Sequence, residues 1–203
     1  GHSRLRADGE VGGGRDEQLV SSETLHGGHS VDRDDFVSVH HCPPLDQNEI
    51  IRSLENWKDA SYRHAVVARQ LSEILKKSRD GVFLLCRKDD QELVVVGSVY
   101  HSLTAPQYTV LSAILCNPHL TQVSPEGKKR GIGGARAAIK YAYKLSLIYG
   151  TRGVSLAALD RGLIPLYRHL GMVQNTALGF SLFFTLEKTQ AIPIYPEFFT
   201  PHF

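Results

Sequence analysis

The stretch with the clearest capacity for chemistry is Lys128 to Ile139, KKRGIGGARAAI, a basic, glycine-rich turn that runs straight into residues with helical spacing. Gly131, Gly133 and Gly134 carry no Cβ, so the backbone there is free to take positive φ and to approach a ligand closely. Ala135, Ala138, Ile139, Ala142 and Leu145 follow at steps of three and four and share one face of a helix. The turn is therefore a helix N-terminus. Unpaired N–H groups and the positive end of the helix dipole point out of it, an arrangement that suits a phosphate or pyrophosphate. Lys128, Lys129 and Arg130 add positive charge at its head, and Ile132 lies within the cradle between two glycines.

Around this turn the composition allows one sizeable core: 203 residues, 42% of them apolar. A formal charge of +2 is too small to make nucleic acid the expected main partner. The three cysteines are odd in number, and Cys86 and Cys116 lie within apolar runs that read as buried strands. No disulfide framework is expected, and a reducing, cytoplasmic location follows. No apolar run reaches the length of a membrane span and the N-terminus has no apolar signal core, so no membrane partner is expected. Gly1-His2-Ser3 resembles a remnant of tag cleavage. His26, His29, His40, His41 and Cys42 match no closed zinc spacing, and no metal site is expected.

Residues 1–33, rich in Gly, Ser and charge, read as a flexible tail, 34–190 as the folded domain, and 191–203 as a tail rich in proline and aromatics. Phe36 to His40 alternates as a first strand. Asp46 is an N-cap with Glu49 three residues on, and Ile50, Leu54 and Trp57 line one face of a first helix. Ala60 to Lys77 is a second helix. Val82 to Arg87 and Leu93 to His101 form a hairpin around Lys88-Asp89-Asp90-Gln91, and Tyr108 to Cys116 is a central strand. A polar insertion leads to the glycine turn, whose helix stops at Gly150. Val154 to Leu159 is a strand, Leu163 to Leu170 a short helix ended by Gly171, and Gly179 to Leu186 a last alternating strand. Phe198, Phe199 and Phe203 either seal a homodimer or fold back on the sheet.

This is an α/β order with a mixed sheet, and with two motifs it resembles the GCN5-related N-acetyltransferase (GNAT) superfamily, which transfers an acyl group from acyl-coenzyme A to an amine. The pyrophosphate-loop signature Q/R-x-x-G-x-G/A is matched by Lys128, Gly131 and Gly133 with Lys in first place, or by Arg130, Gly133 and Ala135 in a second register. Asp160 to Met172, DRGLIPLYRHLGM, is similar to N-x-x-A-x-x-h-Y-x-x-L-G-F through Leu166, Tyr167, Leu170 and Gly171. Asp160, Leu163 and Met172 depart from it. The resemblance spans about Phe36 to Lys188. A further departure is the insertion between Pro118 and Lys128, where the family commonly has the loop directly after the strand.

The resemblance implies a splayed central sheet flanked by helices, acetyl-CoA as co-substrate, and direct attack by the primary amine of a small molecule or protein in a ternary complex. It places the pyrophosphate on the backbone from Lys129 to Gly134, and backbone groups near Ile114 and Cys116 against the pantetheine arm and the thioester oxygen. It makes Tyr167 the acid, a phenol with an ordinary pKa near 10 that protonates the departing thiolate. Cys116 is not a nucleophile in this scheme. The central strand has no carboxylate to act as base; Asp160, His101, His119 and Glu126 are the substitutes. Two alternatives remain: a module that binds coenzyme A or acyl-CoA without turnover, and a secreted effector or toxin acetyltransferase acting on protein or aminoacyl-tRNA, with the N-terminal tail as delivery segment.

Overall fold

A computed structural model describes residues 39–41, 45–77, 81–103, 107–175 and 182–199. The expected N-terminal tail, most of the first strand, the first residues of the last strand and Phe203 lie outside these residues.

After β1 (Val39–His41), helix α1 (Gln47–Trp57) begins on a reciprocal cap. The Asp46 carboxylate accepts from the Glu49 N–H at 2.8 Å and the Glu49 carboxylate from the Asp46 N–H at 3.4 Å, which satisfies two N–H groups that a helix start otherwise leaves open. Ile50, Leu54 and Trp57 are buried on one face, as their spacing predicts. α2 (Tyr62–Lys77) follows a single 3-10 turn. The sheet continues with β2 (Val82–Arg87), β3 (Leu93–His101) and β4 (Thr109–Cys116). Then come β5 (Thr121–Val123), β6 (Lys129–Gly131), α3 (Gly134–Tyr149) and β7 (Gly153–Ala157). The chain goes on through α4 (Ile164–His169), β8 (Val173–Gln174), β9 (Phe183–Glu187) and α5 (Lys188–Ala191).

Among the described residues seven strands form one sheet in the order β1-β2-β3-β4-β7-β9-β8. β4 and β7 run parallel and every other neighbouring pair antiparallel, so the sheet is mixed as expected. One face carries α1 and α2, with Ile50, Leu54, Trp57 and Leu71 against Leu84, Val96 and Leu115. The other carries α3, with Ile139, Tyr141 and Leu145 against Phe83, Val95 and Phe184. Covering on both faces explains why all nine residues of β3 are buried, the polar Ser98 and His101 included. Gly150 ends α3 in the left-handed conformation at φ 67°. Among the described residues no helix is long and apolar enough to cross a membrane.

Three features differ from the sequence reading. The insertion is a hairpin: β5 pairs antiparallel with β6 around a turn in which Gly127 has φ 81°, and β6 takes in the first part of the expected glycine cradle. Cys86 is fully buried and disulfide-bonded, against the expectation of no disulfide framework, while Cys116 is free, so cysteine usage no longer argues for a reducing compartment. The chain from 191 to 199 is built into the body. Tyr195 is buried against Tyr143, Phe198 and Phe199 pack on the same ring at 6.0 and 6.2 Å, and Lys140 pairs with Glu197 at 2.7 Å. Phe198 and Phe199 thus fold back on the body, but onto helix α3 rather than onto the sheet as expected.

Candidate active site

The site exists because β4 and β7 separate. They pair only at Thr109↔Val154 and Val110↔Ser155, whereas β3 stays paired with β4 along its length to Val95↔Cys116. From Leu111 onward β4 therefore presents one side of its backbone to an opening instead of to a strand. That opening is a cavity of about 460 Å3 between Leu111–Cys116, residues 156–159 at the end of β7, the α2 residues Arg63, His64, Val66, Val67 and Gln70, and the α4 residue Tyr167. A second cavity, about 510 Å3, lies over residues 131–136 with Asn117, Leu120 and His169 on its walls. Cys116, Ala135 and Leu166 border both, so the two adjoin beneath the glycine turn.

The turn's geometry is specific to each glycine. Gly133 is the N-cap of α3 at φ 88°, a conformation that costs an L-residue roughly 1–2 kcal/mol. Having no side chain, it also leaves the first N–H groups of the helix uncapped from its own position. Gly134 lacks a Cβ for a packing reason, since one there would come within 2.9 Å of Cys116 Sγ and 3.1 Å of Val95 Cγ2. The helix start is thereby set close against β3 and β4. Gly131 is not at positive φ, and a Cβ on it would meet nothing within 4 Å. Gly131, Ile132, Gly133 and Gly134 line the second cavity together with Arg136, which the sequence reading did not single out. Lys128 sits in the hairpin turn, its N–H bonded to Ser124 Oγ at 3.1 Å, and the backbone of Lys129 and Arg130 is paired with β5.

Tyr167 is carried on a six-residue helix with Pro165 in its first turn, and its carbonyl accepts the Met172 N–H at 3.0 Å. Its ring packs on Phe184 at 5.5 Å between centroids and is 8% exposed. Burial pushes its phenol up to about 12. Cys116, on the wall of the same cavity, is likewise pushed up to about 12 by burial. A thiol at that value is protonated at neutral pH and a poor nucleophile. Ile114 and Cys116 are the half-buried residues of an otherwise buried strand. The Cys116 carbonyl is already engaged, accepting from His64 Nε2 at 3.2 Å.

The candidate bases are dispersed. Asp160 is held in a two-pronged ion pair with Arg63, Nε–Oδ2 and Nη2–Oδ1 both 2.8 Å, which lowers its carboxyl below the usual range. His101 bonds Thr109 Oγ1 at 3.0 Å, where β4 is still paired with β7, away from the opening. His119 and Glu126 are exposed on the β4–β6 connection and line neither cavity. The imidazole that does reach the cavity is His64, which sequence reasoning missed. Because a carbonyl only accepts, the bond to Cys116 fixes a proton on Nε2; Nδ1 meets Ser61 Oγ at 2.8 Å. A signal was present: His64, Val67 and Leu71 stand at i, i+3 and i+7, which puts a polar ring on the apolar stripe of α2.

No protein-family model matches the chain, and no curated protein matches it significantly. Among solved structures it is similar to AtaTR bound with AcCoA, at 16% identity over 83% of this chain and 100% of that one, TM-score 0.54. A mutant AtaT toxin bound to the C-terminus of the antitoxin AtaR matches at 12% identity over 79% and 99%, TM-score 0.51. A GNAT-family structure from Desulfovibrio desulfuricans matches at 16% identity over 74% and 98%, TM-score 0.47.

Proposed function

We propose that this chain, whose fold is that of the GCN5-related N-acetyltransferases, is an acetyl-CoA-dependent N-acetyltransferase acting on a primary amine of a small molecule or protein. One observation carries the reading: two adjoining cavities connect an uncapped helix N-terminus to a buried phenol through the gap between β4 and β7. The N–H groups of the turn suit a pyrophosphate, the unpaired side of β4 suits an extended pantetheine arm, and Tyr167 closes the far end. The crystal structure of AtaTR, of like fold, is bound with AcCoA, which supports the choice of donor.

Tyr167 and Cys116 together explain why a phenol is a workable acid here. A phenol at about 12 is a poor donor to a thiolate in water, where thiols titrate near 8.5. The Cys116 thiol shows what burial at this cavity does to sulfur, raising it also to about 12. A departing thiolate held in the same desolvated surroundings is raised in the same direction, which narrows the gap between it and the phenol. The amine attacks directly and Cys116 takes no acyl group.

The experiment is thiol release from acetyl-CoA in the presence of an amine mixture, with and without the protein. Amine-dependent release supports the enzyme. Binding of acetyl-CoA with no release supports the second reading, a coenzyme A-binding module without turnover. That reading is favoured by one observation: none of the four sequence-nominated bases faces the cavity as a free base.

A further inference from the structure

The ion pair between Arg63 and Asp160 joins two elements that are 97 residues apart in sequence, the first turn of α2 and the 3-10 turn that leads into α4. Both side chains are about half exposed, 46% and 42%, so solvent screens the pair and it adds little to global stability. Its geometry is nonetheless highly constrained. Both prongs measure 2.8 Å, the planar fork meeting the carboxylate. Asp160 Oδ1 also accepts the Gly162 N–H at 2.8 Å, and a Cβ on Gly162 would collide with Arg63 Nη2. The absence of a side chain at 162 thus makes room for the guanidinium.

Two connections lead from this pair into the cleft. Asp160 caps the turn Arg161–Leu163, which passes directly into the helix carrying Tyr167, so a rigid turn and half a helix separate carboxylate from phenol. On the other side Arg63 is followed by His64, whose ring bonds the Cys116 carbonyl at the end of β4. The first turn of α2 therefore grips both walls of the opening, β4 through His64 and the Tyr167 helix through Arg63.

We propose that Arg63 and Asp160 are a positioning pair, a clamp that sets the distance between Tyr167 and the open side of β4. This rests on the acetyltransferase reading, in which that distance governs proton delivery. The clamp residues lie outside the lining of the second cavity, where the pyrophosphate is placed, so their loss should fall more heavily on turnover than on donor affinity. A shift of about 1 Å in a reacting group costs up to 10²-fold in rate.

The test uses Arg63→Ala, Asp160→Asn, which can keep the Gly162 bond while losing the charge, their double variant, and Arg63→Lys, which keeps charge but not the fork. Each single change should lower kcat by about 10- to 100-fold with a smaller loss of acetyl-CoA affinity, about fivefold at most. The double variant should be no worse than the poorer single, because the pair acts as a unit, and Arg63→Lys should fall between. Unchanged kcat, multiplicative losses, or a parallel loss of donor affinity would overturn the proposal. Amide hydrogen exchange provides a readout independent of turnover. Exchange over residues 161–170 should quicken about threefold in Arg63→Ala while the strands keep their protection, and equal protection there overturns the clamp. If the wild type binds acetyl-CoA but turns over no amine, the enzyme reading fails by itself and the exchange result still decides whether the clamp exists.

Discussion

Replacing Tyr167 by phenylalanine removes a single oxygen from the cavity wall and keeps the ring that packs on Phe184 at 5.5 Å. The helix, its proline start and the Met172 N–H bond to the Tyr167 carbonyl do not depend on the hydroxyl. Donor binding through the glycine turn is therefore expected to stay within about threefold, while loss of a positioned proton donor costs ~10²- to 10⁴-fold in kcat, or ~3–5 kcal/mol of barrier. Steady-state thiol release at saturating acceptor reads kcat, and calorimetric titration of acetyl-CoA reads Kd. Equal loss in both, or no loss in either, refutes the assignment. The pH profile supplies a second arm. The phenol is the proton-bearing form below its pKa, and burial places that at about 12, so the acid stays competent across the accessible range. Wild-type kcat should rise as the acceptor amine loses its proton, with no descending limb up to about pH 10. A descending limb centred near pH 8 to 9 would contradict the raised phenol.

Direct attack leaves Cys116 no covalent role, so Cys116→Ala is expected to keep kcat within about threefold; a drop of ~10²-fold with the fold intact would point to an acyl-enzyme instead. Lys140 keeps only 8% of its side chain exposed and stands 5.7 Å from the Tyr195 ring, so Glu197→Gln strands a buried ammonium and should lower unfolding stability by about 1–3 kcal/mol, read from urea midpoints. An unchanged midpoint would show that the clasp over α3 contributes nothing.

Local signals carried much of the architecture. The Asp46–Glu49 capping box, the β2–β3 hairpin around Lys88–Asp90 and the Gly150 stop each depend on residues within a few positions of one another, and each is seen where the pattern puts it. What pattern reading lacked was information held between distant segments. The Arg63–Asp160 pair spans 97 residues, and the His64 bond to the Cys116 carbonyl spans 52. No local period encodes either. The β5–β6 hairpin was missed because three-residue strands are too short for an alternation signal, although the Ser124–Gly127 turn between them is of a recognisable type. The glycines show a finer limit. All three read alike as permissive, yet Gly133 is required by its φ, Gly134 by Cys116 behind it, and Gly131 by neither. Only the ligand reading gives Gly131 a reason to lack a side chain.

That last point supplies the most direct test of the cradle. A Cβ at Gly131 meets nothing within 4 Å and no positive φ is strained, so Gly131→Glu should leave the melting temperature within a few degrees of the wild type. Its carboxylate would face the pyrophosphate in the second cavity. At roughly 6 Å and an effective dielectric constant of about 20, each like-charge contact costs ~3 kcal/mol, on the order of 10²-fold in affinity. Titration of acetyl-CoA into wild type and Gly131→Glu is predicted to give micromolar binding that falls by at least that factor in the folded variant. Equal affinity in the two proteins, or no binding to the wild type, would contradict the account.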